Sequence, residues 1–393
     1  MLRFGRIALA GALTVVLSAS VVAQTASPLA TLARTPPMGW NSWNKFACNV
    51  SEQLIRETAD AMVASGMRDA GYQFVVIDDC WQVSRDANGT IVADPERFPS
   101  GIKALADYVH SKGLKFGLYS DAGMLTCQRR PGSRGYEFQD ARTYAAWGVD
   151  YLKYDWCAHG TQNAEASYRL MRAALDQAGR PIVFSICEWG SNKPWLWARD
   201  IGHLWRTTGD ITDCFDCDKS GYGFARIADM QVGLEAFAGP GGWNDPDMLE
   251  VGNGGLTMEE SRAHFSLWAI LAAPLMAGND LRSMAPEIRD VLTNREVIAV
   301  NQDSLGRQGR RVRDDGAAEV WARVLADGSR AVALFNRDST AATMTVRWPE
   351  IGYPAGLEAA VRDLWTHKDA GRSRGEYRAT VPGHGVVMVR ITP

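Results

Sequence analysis

Carboxylates recur along this chain where apolar runs end. Asp78 and Asp79 follow Phe74-Val-Val-Ile77, Asp121 follows Lys115-Phe-Gly-Leu-Tyr119, and Asp155 closes Val149-Asp-Tyr-Leu-Lys-Tyr154. Glu188 follows Pro181–Cys187, Asp210 follows His203–Thr207, and Asp245 and Asp247 follow Gly242-Trp-Asn244. Acids of this kind act as nucleophiles or as general acids and bases. Lys153 lies two residues before Asp155, so in an extended run both side chains share a face. A neighbouring ammonium keeps a carboxyl ionised, as a nucleophile requires, although a Lys–Asp pair that merely fills a core fits the same spacing. Arg206 and Asp210 flank Thr-Thr-Gly, which suits a loop salt bridge as well as catalytic machinery. Trp43, Trp81, Trp156, Trp189 and Trp243 lie beside these acids, and indoles serve equally as sugar platforms and as core residues.

Other chemistries lack their residues. The sequence contains no HExxH, GxSxG, Walker loop or GxGxxG. Its six histidines are dispersed, so neither a metal nor a cofactor is called for. Cys214-Phe-Asp-Cys217 has no second Cys or His pair to complete a zinc site, and a local disulfide is the better reading. What remains is a carboxylate-only site, the equipment of glycoside hydrolysis. A formal net charge of −3 excludes the basic excess that nucleic acid demands. Two early arginines, the apolar run Ile7–Val22 and Val21-Val22-Ala23 read as a signal peptide over residues 1–23, which makes the protein secreted or periplasmic. Nothing later is long and apolar enough for a membrane span. Seven cysteines in an exported chain point to disulfides with one thiol left over.

The elements that position the acids follow from periodicity. The five apolar runs above, with Met38–Trp43, a strand near Gly242–Asn244 and one at Leu271–Leu275, make eight candidate strands. Helical patterns at Ser51–Ser65, Gly101–Lys112 and Ala164–Ala178 lie between them. A (β/α)8 TIM barrel over residues 31–305 is the economical reading; a doubly wound sheet shares the periodicity. In a barrel the strand ends converge on one face, where the acids would form an aromatic-walled cup. From about Gln308 the pattern becomes short alternating runs, at Glu319–Val324, Ser329–Phe335, Ala342–Arg347 and Val386–Ile391. This reads as a C-terminal antiparallel β-sandwich domain over residues 306–393.

Several strings are more specific. Arg34-Thr-Pro-Pro-Met-Gly-Trp-Asn-Ser-Trp43, Ile77-Asp-Asp-Cys-Trp81, Lys153-Tyr-Asp-Trp-Cys157, Cys187-Glu-Trp-Gly190, Trp205-Arg-Thr-Thr-Gly-Asp210 and Trp243-Asn-Asp-Pro-Asp-Met248 occur in this order. With them the sequence resembles glycoside hydrolase family 27, the α-galactosidase and α-N-acetylgalactosaminidase family. The resemblance implies a retaining double displacement, with Asp155 as nucleophile and Asp210 as general acid/base. It further implies that Asp78, Asp79, Lys153, Glu188, Arg206 and Asp247 hold a galactose, that Trp43 and Tyr119 form its apolar wall, and that Cys48–Cys80 and Cys127–Cys157 are disulfides. Glu188 implies selection against a 2-acetamido group. Cys187 is then the leftover thiol. The substrates implied are terminal α-galactosides: melibiose, raffinose-type oligosaccharides or galactomannan branches. A β-L-arabinopyranosidase or an α-N-acetylgalactosaminidase is the alternative.

Overall fold

Runs rich in buried Val, Ile, Leu and Phe form a parallel sheet because helices cover it from outside while side chains fill it from within. The computed structural model describes residue 1, residues 32–218 and residues 221–393; the expected signal peptide, 1–23, lies outside the described residues. The barrel strands are β1 (Met38–Asn41), β2 (Phe74–Val76), β3 (Lys115–Asp121), β4 (Tyr151–Asp155), β5 (Val183–Cys187), β6 (Leu204–Arg206), β7 (Trp243–Asp245) and β8 (Leu275–Ala277). They pair in parallel in the order β8-β1-β2-β3-β4-β5-β6-β7. The seam between β7 and β8 is closed by the chain just past β7: the Leu249 amide donates to the Met276 carbonyl at 2.8 Å, and Gly278 donates back to Leu249. Gly39 permits the β1–β2 pairing, since a Cβ there would stand 2.5 Å from the Phe74 carbonyl oxygen.

Inward-facing Phe74, Tyr151, Val183, Leu204, Trp243 and Met276 pack as one cluster and plug the barrel. Above this plug the C-terminal strand ends are free to build a cup. Outside run the helices α1 (Glu52–Ala64), α2 (Gly101–Ser111), α3 (Glu137–Trp147), α4 (Ala164–Asp176), α5 (Phe224–Met230) and α6 (Met258–Ile270). Ser51 caps α1 by accepting from the Leu54 amide. Thr257 and Glu260 form a full capping box at the start of α6.

One strand lies elsewhere than its sequence suggests. Leu271–Pro274 is the turn after α6, with Ala272 at φ 51° and Pro274 lacking an amide hydrogen, so β8 begins only at Leu275.

The C-terminal strands are β9 (Arg310–Asp315), β10 (Ala318–Val324), β11 (Arg330–Asn336), β12 (Ala342–Arg347), β13 (Glu358–Asp363), β14 (Lys368–Arg374), β15 (Glu376–Val381) and β16 (Val386–Thr392). Six form an antiparallel sheet, β9-β10-β11-β16-β13-β14, and β12 pairs with β15. Strand alternation divides the larger sheet between two cores. Trp321, Ala333 and Phe335 join the barrel's core, whereas Val320, Val332 and Leu334 face the sandwich interior with Val346 and Trp348. Buried Arg323 adds hydrogen bonds to the Ala269 and Asn301 carbonyls.

Candidate active site

The strand ends surround a cavity of about 540 Å³ lined by Trp43, Asp78, Asp79, Tyr119, Lys153, Asp155, Arg206, Asp210 and Asp247. Nine of the ten residues expected at a sugar site are thus brought to one cup. Asp155 ends β4, and its Oδ2 accepts from the Tyr119 hydroxyl at 2.9 Å while its Oδ1 accepts from the Trp156 amide. Asp78 receives the Lys153 ammonium at 2.7 Å and the Asn41 amide nitrogen at 2.8 Å on one oxygen. Asp79 is held by the Cys80 and Gln128 amides. On the opposite wall the buried Arg206 guanidinium bridges Asp210 at 2.9 Å and Asp247 at 2.8 Å. Asp247 holds φ 85° and also accepts from the Ile211 amide, which ties β7 to the segment carrying Asp210. Cys80, Trp189 and Asp247 all take positive φ beside the cup, a conformation that non-glycine residues adopt chiefly where the surroundings enforce it.

Burial pushes Asp155 up to about 6, with Asp78 and Asp210 adding to the rise and Lys153 and the Tyr119 hydroxyl opposing it. Lys153 acts in the expected direction on this carboxyl, but its ammonium is bonded to Asp78 and burial outweighs its field. Asp210 behaves oppositely. Crowding by the cup walls favours its neutral form, but Arg206 and Lys153 outweigh that and hold it below the usual carboxylate range. Its side chain stands at the rim, 58% exposed, where a leaving group would pass.

Glu188 is the expected site residue that the structure does not bring into the cup. It is fully buried, and its Oε2 accepts from the backbone and side-chain nitrogens of Asn192. Val183, Ser185 and Cys187 point inward along β5, so Glu188 points away and Trp189, turned back at φ 59°, lines the cavity in its place. Trp43 and Trp189 are the two lining indoles among the five singled out; Trp81 packs on Tyr144 and Trp147, Trp156 on His159, and Trp243 in the barrel plug. Cys187, Met248, Glu250 and Asn253 also line the cavity. Glu250 is pushed up to about 7 by burial.

The structure joins Cys48 to Cys80, Cys127 to Cys157 and Cys214 to Cys217, and leaves Cys187 free and buried. Asp121, Cys127 and Cys157 approach one another closely enough for a metal, but the two sulfurs bond each other. Cys127 Sγ lies 3.4 Å from Asp155 Oδ2, so this bridge braces the end of β4. Replacing Cys127 and Cys157 together by Ala is expected to cost roughly 2–5 kcal/mol of stability and to lower turnover, read by denaturant unfolding and initial rates. An unchanged midpoint and rate would show the brace to be idle.

An acid-lined, indole-walled cup on the C-terminal face of a βα barrel defines a barrel-type glycoside hydrolase. The family described as "Alpha galactosidase A" matches residues 35–303, and the "Alpha galactosidase C-terminal beta sandwich domain" matches residues 315–391. The chain therefore belongs to the α-galactosidase family, glycoside hydrolase family 27. It is similar to α-galactosidase A of Cellvibrio japonicus, 52% identical over 378 residues that cover 92% of this chain and 93% of that protein. Its fold matches α-galactosidase I from Mortierella vinacea with a TM-score of 0.89 and 42% identity, over 92% of this chain and 97% of that one. It matches an α-galactosidase of Saccharomyces cerevisiae determined with raffinose at 0.88 and 32%, over 94% and 100%.

Proposed function

We propose that this protein is an exported α-galactosidase that hydrolyses terminal α-D-galactose from melibiose, raffinose-type oligosaccharides or galactomannan branches by retaining double displacement. The observation that carries the reading is the pair of Asp155 and Asp210 on opposite walls of one cup, within a chain 52% identical to an α-galactosidase along most of its length. Asp155 attacks the anomeric carbon from the β4 end while Asp210, at the rim, protonates the departing oxygen; Asp210 then takes a proton from water to release galactose. Free of substrate, burial raises Asp155 while Arg206 and Lys153 hold Asp210 down, and the two carboxyls titrate together as one pair whose proton serves from Asp210 when the bond breaks.

Lys153, Asp78 and Asp79 bond sugar hydroxyls, Arg206 and Asp247 face them across the cup, and Trp43 and Tyr119 cover the apolar face. Trp189 takes the place that Glu188 was expected to fill. Residues 31–305 serve as the catalytic barrel and residues 306–393 as its β domain. Removal of residues 1–23 during export, to the medium or the periplasm, fits the three disulfides.

Nitrophenyl α-galactoside, α-N-acetylgalactosaminide and β-L-arabinopyranoside, compared at equal concentration, test the substrate. The α-galactoside should exceed the others by at least about tenfold in kcat/KM, a discrimination of roughly 1.4 kcal/mol. Preference for either other sugar overturns the reading.

A further inference from the structure

The described residues around Asp210, 210–218 and 221–225, gather into a compact lobe. The Asp210 carbonyl accepts from the Tyr222 amide at 2.9 Å, and Thr212 donates to the Tyr222 carbonyl. Gly221 permits this closure, because it holds φ 148° and a Cβ would meet the Asp210 carbonyl oxygen at 2.5 Å. Beyond it the Cys214–Cys217 disulfide draws the lobe together, and Phe224 and Ala225 donate back to the Cys214 and Phe215 carbonyls. Between the cysteines Phe215 projects onto the C-terminal domain.

There it is gripped. His384, in the turn from β15 to β16, stacks on Phe215 with ring centroids 4.1 Å apart and an interplanar angle of 9°. Phe335 of β11 packs at 6.0 Å, and Phe224 meets the same ring edge-on at 5.3 Å. His384 is itself fixed, with Nδ1 2.9 Å from Glu260 Oε1, while the other oxygen of Glu260 caps α6 through the Thr257 amide. Arg337 adds an ion pair to Asp216 of the lobe. None of these residues lines the sugar cup.

We infer that the C-terminal domain is a positioning device for the acid/base carboxyl, acting through the Phe215–His384 stack. The inference rests on the assignment of Asp210 as acid/base. A hydrogen bond to a leaving oxygen tolerates little displacement, and a misplacement of about 1 Å from a remote change costs on the order of 10²-fold. Nucleophilic attack by Asp155 and the contacts of Asp78, Asp79 and Lys153 to the sugar come from β2 and β4, away from the lobe, and should survive its loosening. The penalty should therefore fall on leaving groups that need a proton.

The test compares kcat/KM for melibiose with that for dinitrophenyl α-galactoside, whose phenolate leaves unprotonated, in the full-length protein. His384→Ala is expected to lower the melibiose value roughly tenfold, within the range that general acid catalysis supplies, and to leave the dinitrophenyl value within about twofold. His384→Phe, which keeps the ring but loses Glu260, should recover most of the loss. Equal loss on both substrates, or no loss on melibiose in a protein with a native circular dichroism spectrum, overturns the inference; if His384→Ala does not fold, Phe215→Leu is read by the same criterion. Asp210→Ala is the control. If it discriminates between the substrates and the clamp variants do not, this inference alone fails; if it also falls equally on both, the acid/base assignment fails with it.

Discussion

Asp155→Ala is expected to abolish turnover of every galactoside, activated or not, by on the order of 10⁵–10⁶-fold, the scale seen when a covalent nucleophile is removed. The loss should be indifferent to leaving group, because without this carboxylate no glycosyl-enzyme forms whatever departs. Removing the side chain also opens space beside Tyr119, whose hydroxyl donates to the Asp155 carboxylate. Azide admitted there would attack the anomeric carbon from the vacated side and leave β-galactosyl azide, a product of inverted configuration. Asp155→Ala that keeps a hundredth of wild-type turnover on melibiose would remove Asp155 from the nucleophile's role.

The wild-type pH profile follows from the same pair of carboxyls. Catalysis needs one proton on the pair, with Asp155 ionised and Asp210 protonated, and the upper of the two ionisations lies near pH 6, where burial sets Asp155. The kcat/KM profile should therefore fall on its alkaline side with an apparent pKa near 6, because above it both carboxyls are ionised, and should fall on its acid side only at lower pH, where Asp210, held down by Arg206, is protonated together with Asp155. Full activity persisting a unit or more above pH 6 would contradict the account.

Asp210→Ala is the second large effect, and it should depend on the leaving group. For melibiose the first step needs a proton at the departing oxygen, so kcat/KM should fall by roughly 10²–10⁴-fold. For dinitrophenyl α-galactoside that step needs none, and kcat/KM should be largely kept. The second step still lacks its base, so kcat should drop with KM as galactosyl-enzyme accumulates, and a burst of dinitrophenolate should appear. Azide should then speed turnover and give the α-azide, because it attacks the intermediate without a base. Opposite azide anomers from the two variants would separate their roles in one assay.

Much of this site was legible because strand alternation carries direction. Tyr151, Lys153 and Asp155 face inward together, and the plug-to-cup sequence along β4 follows from that period alone. The same period applied to Val183, Ser185 and Cys187 points to Trp189 rather than Glu188, since an odd step reverses the face. The acid drew attention as a polar residue at a strand end, and its burial against Asn192 rests on a left-handed turn that no spacing reveals. Depth was illegible for the indoles: Trp81 and Trp43 both stand near acids, but only the packing of Tyr144 and Trp147 shows which of them belongs to the core.

In the C-terminal domain β10, β11, β12 and β16 show apolar runs, whereas β14, Lys368-Asp-Ala-Gly-Arg-Ser-Arg374, is almost wholly exposed at a sheet edge and carries no apolar alternation to read. The link from His384 to Phe215 joins residues far apart in sequence and has no local signature. Nor did the charges around Asp155 follow from its neighbour Lys153. Asp78, distant in sequence, takes that ammonium and adds its own charge to the field at Asp155.

The central claim is that Asp155 and Asp210 carry out two displacements at one anomeric carbon. Proton NMR of wild-type enzyme acting on nitrophenyl α-galactoside, recorded before mutarotation, tests it most directly. The account predicts that the α-anomer of galactose appears first and the β-anomer grows in afterwards; β-galactose as the initial product would contradict it.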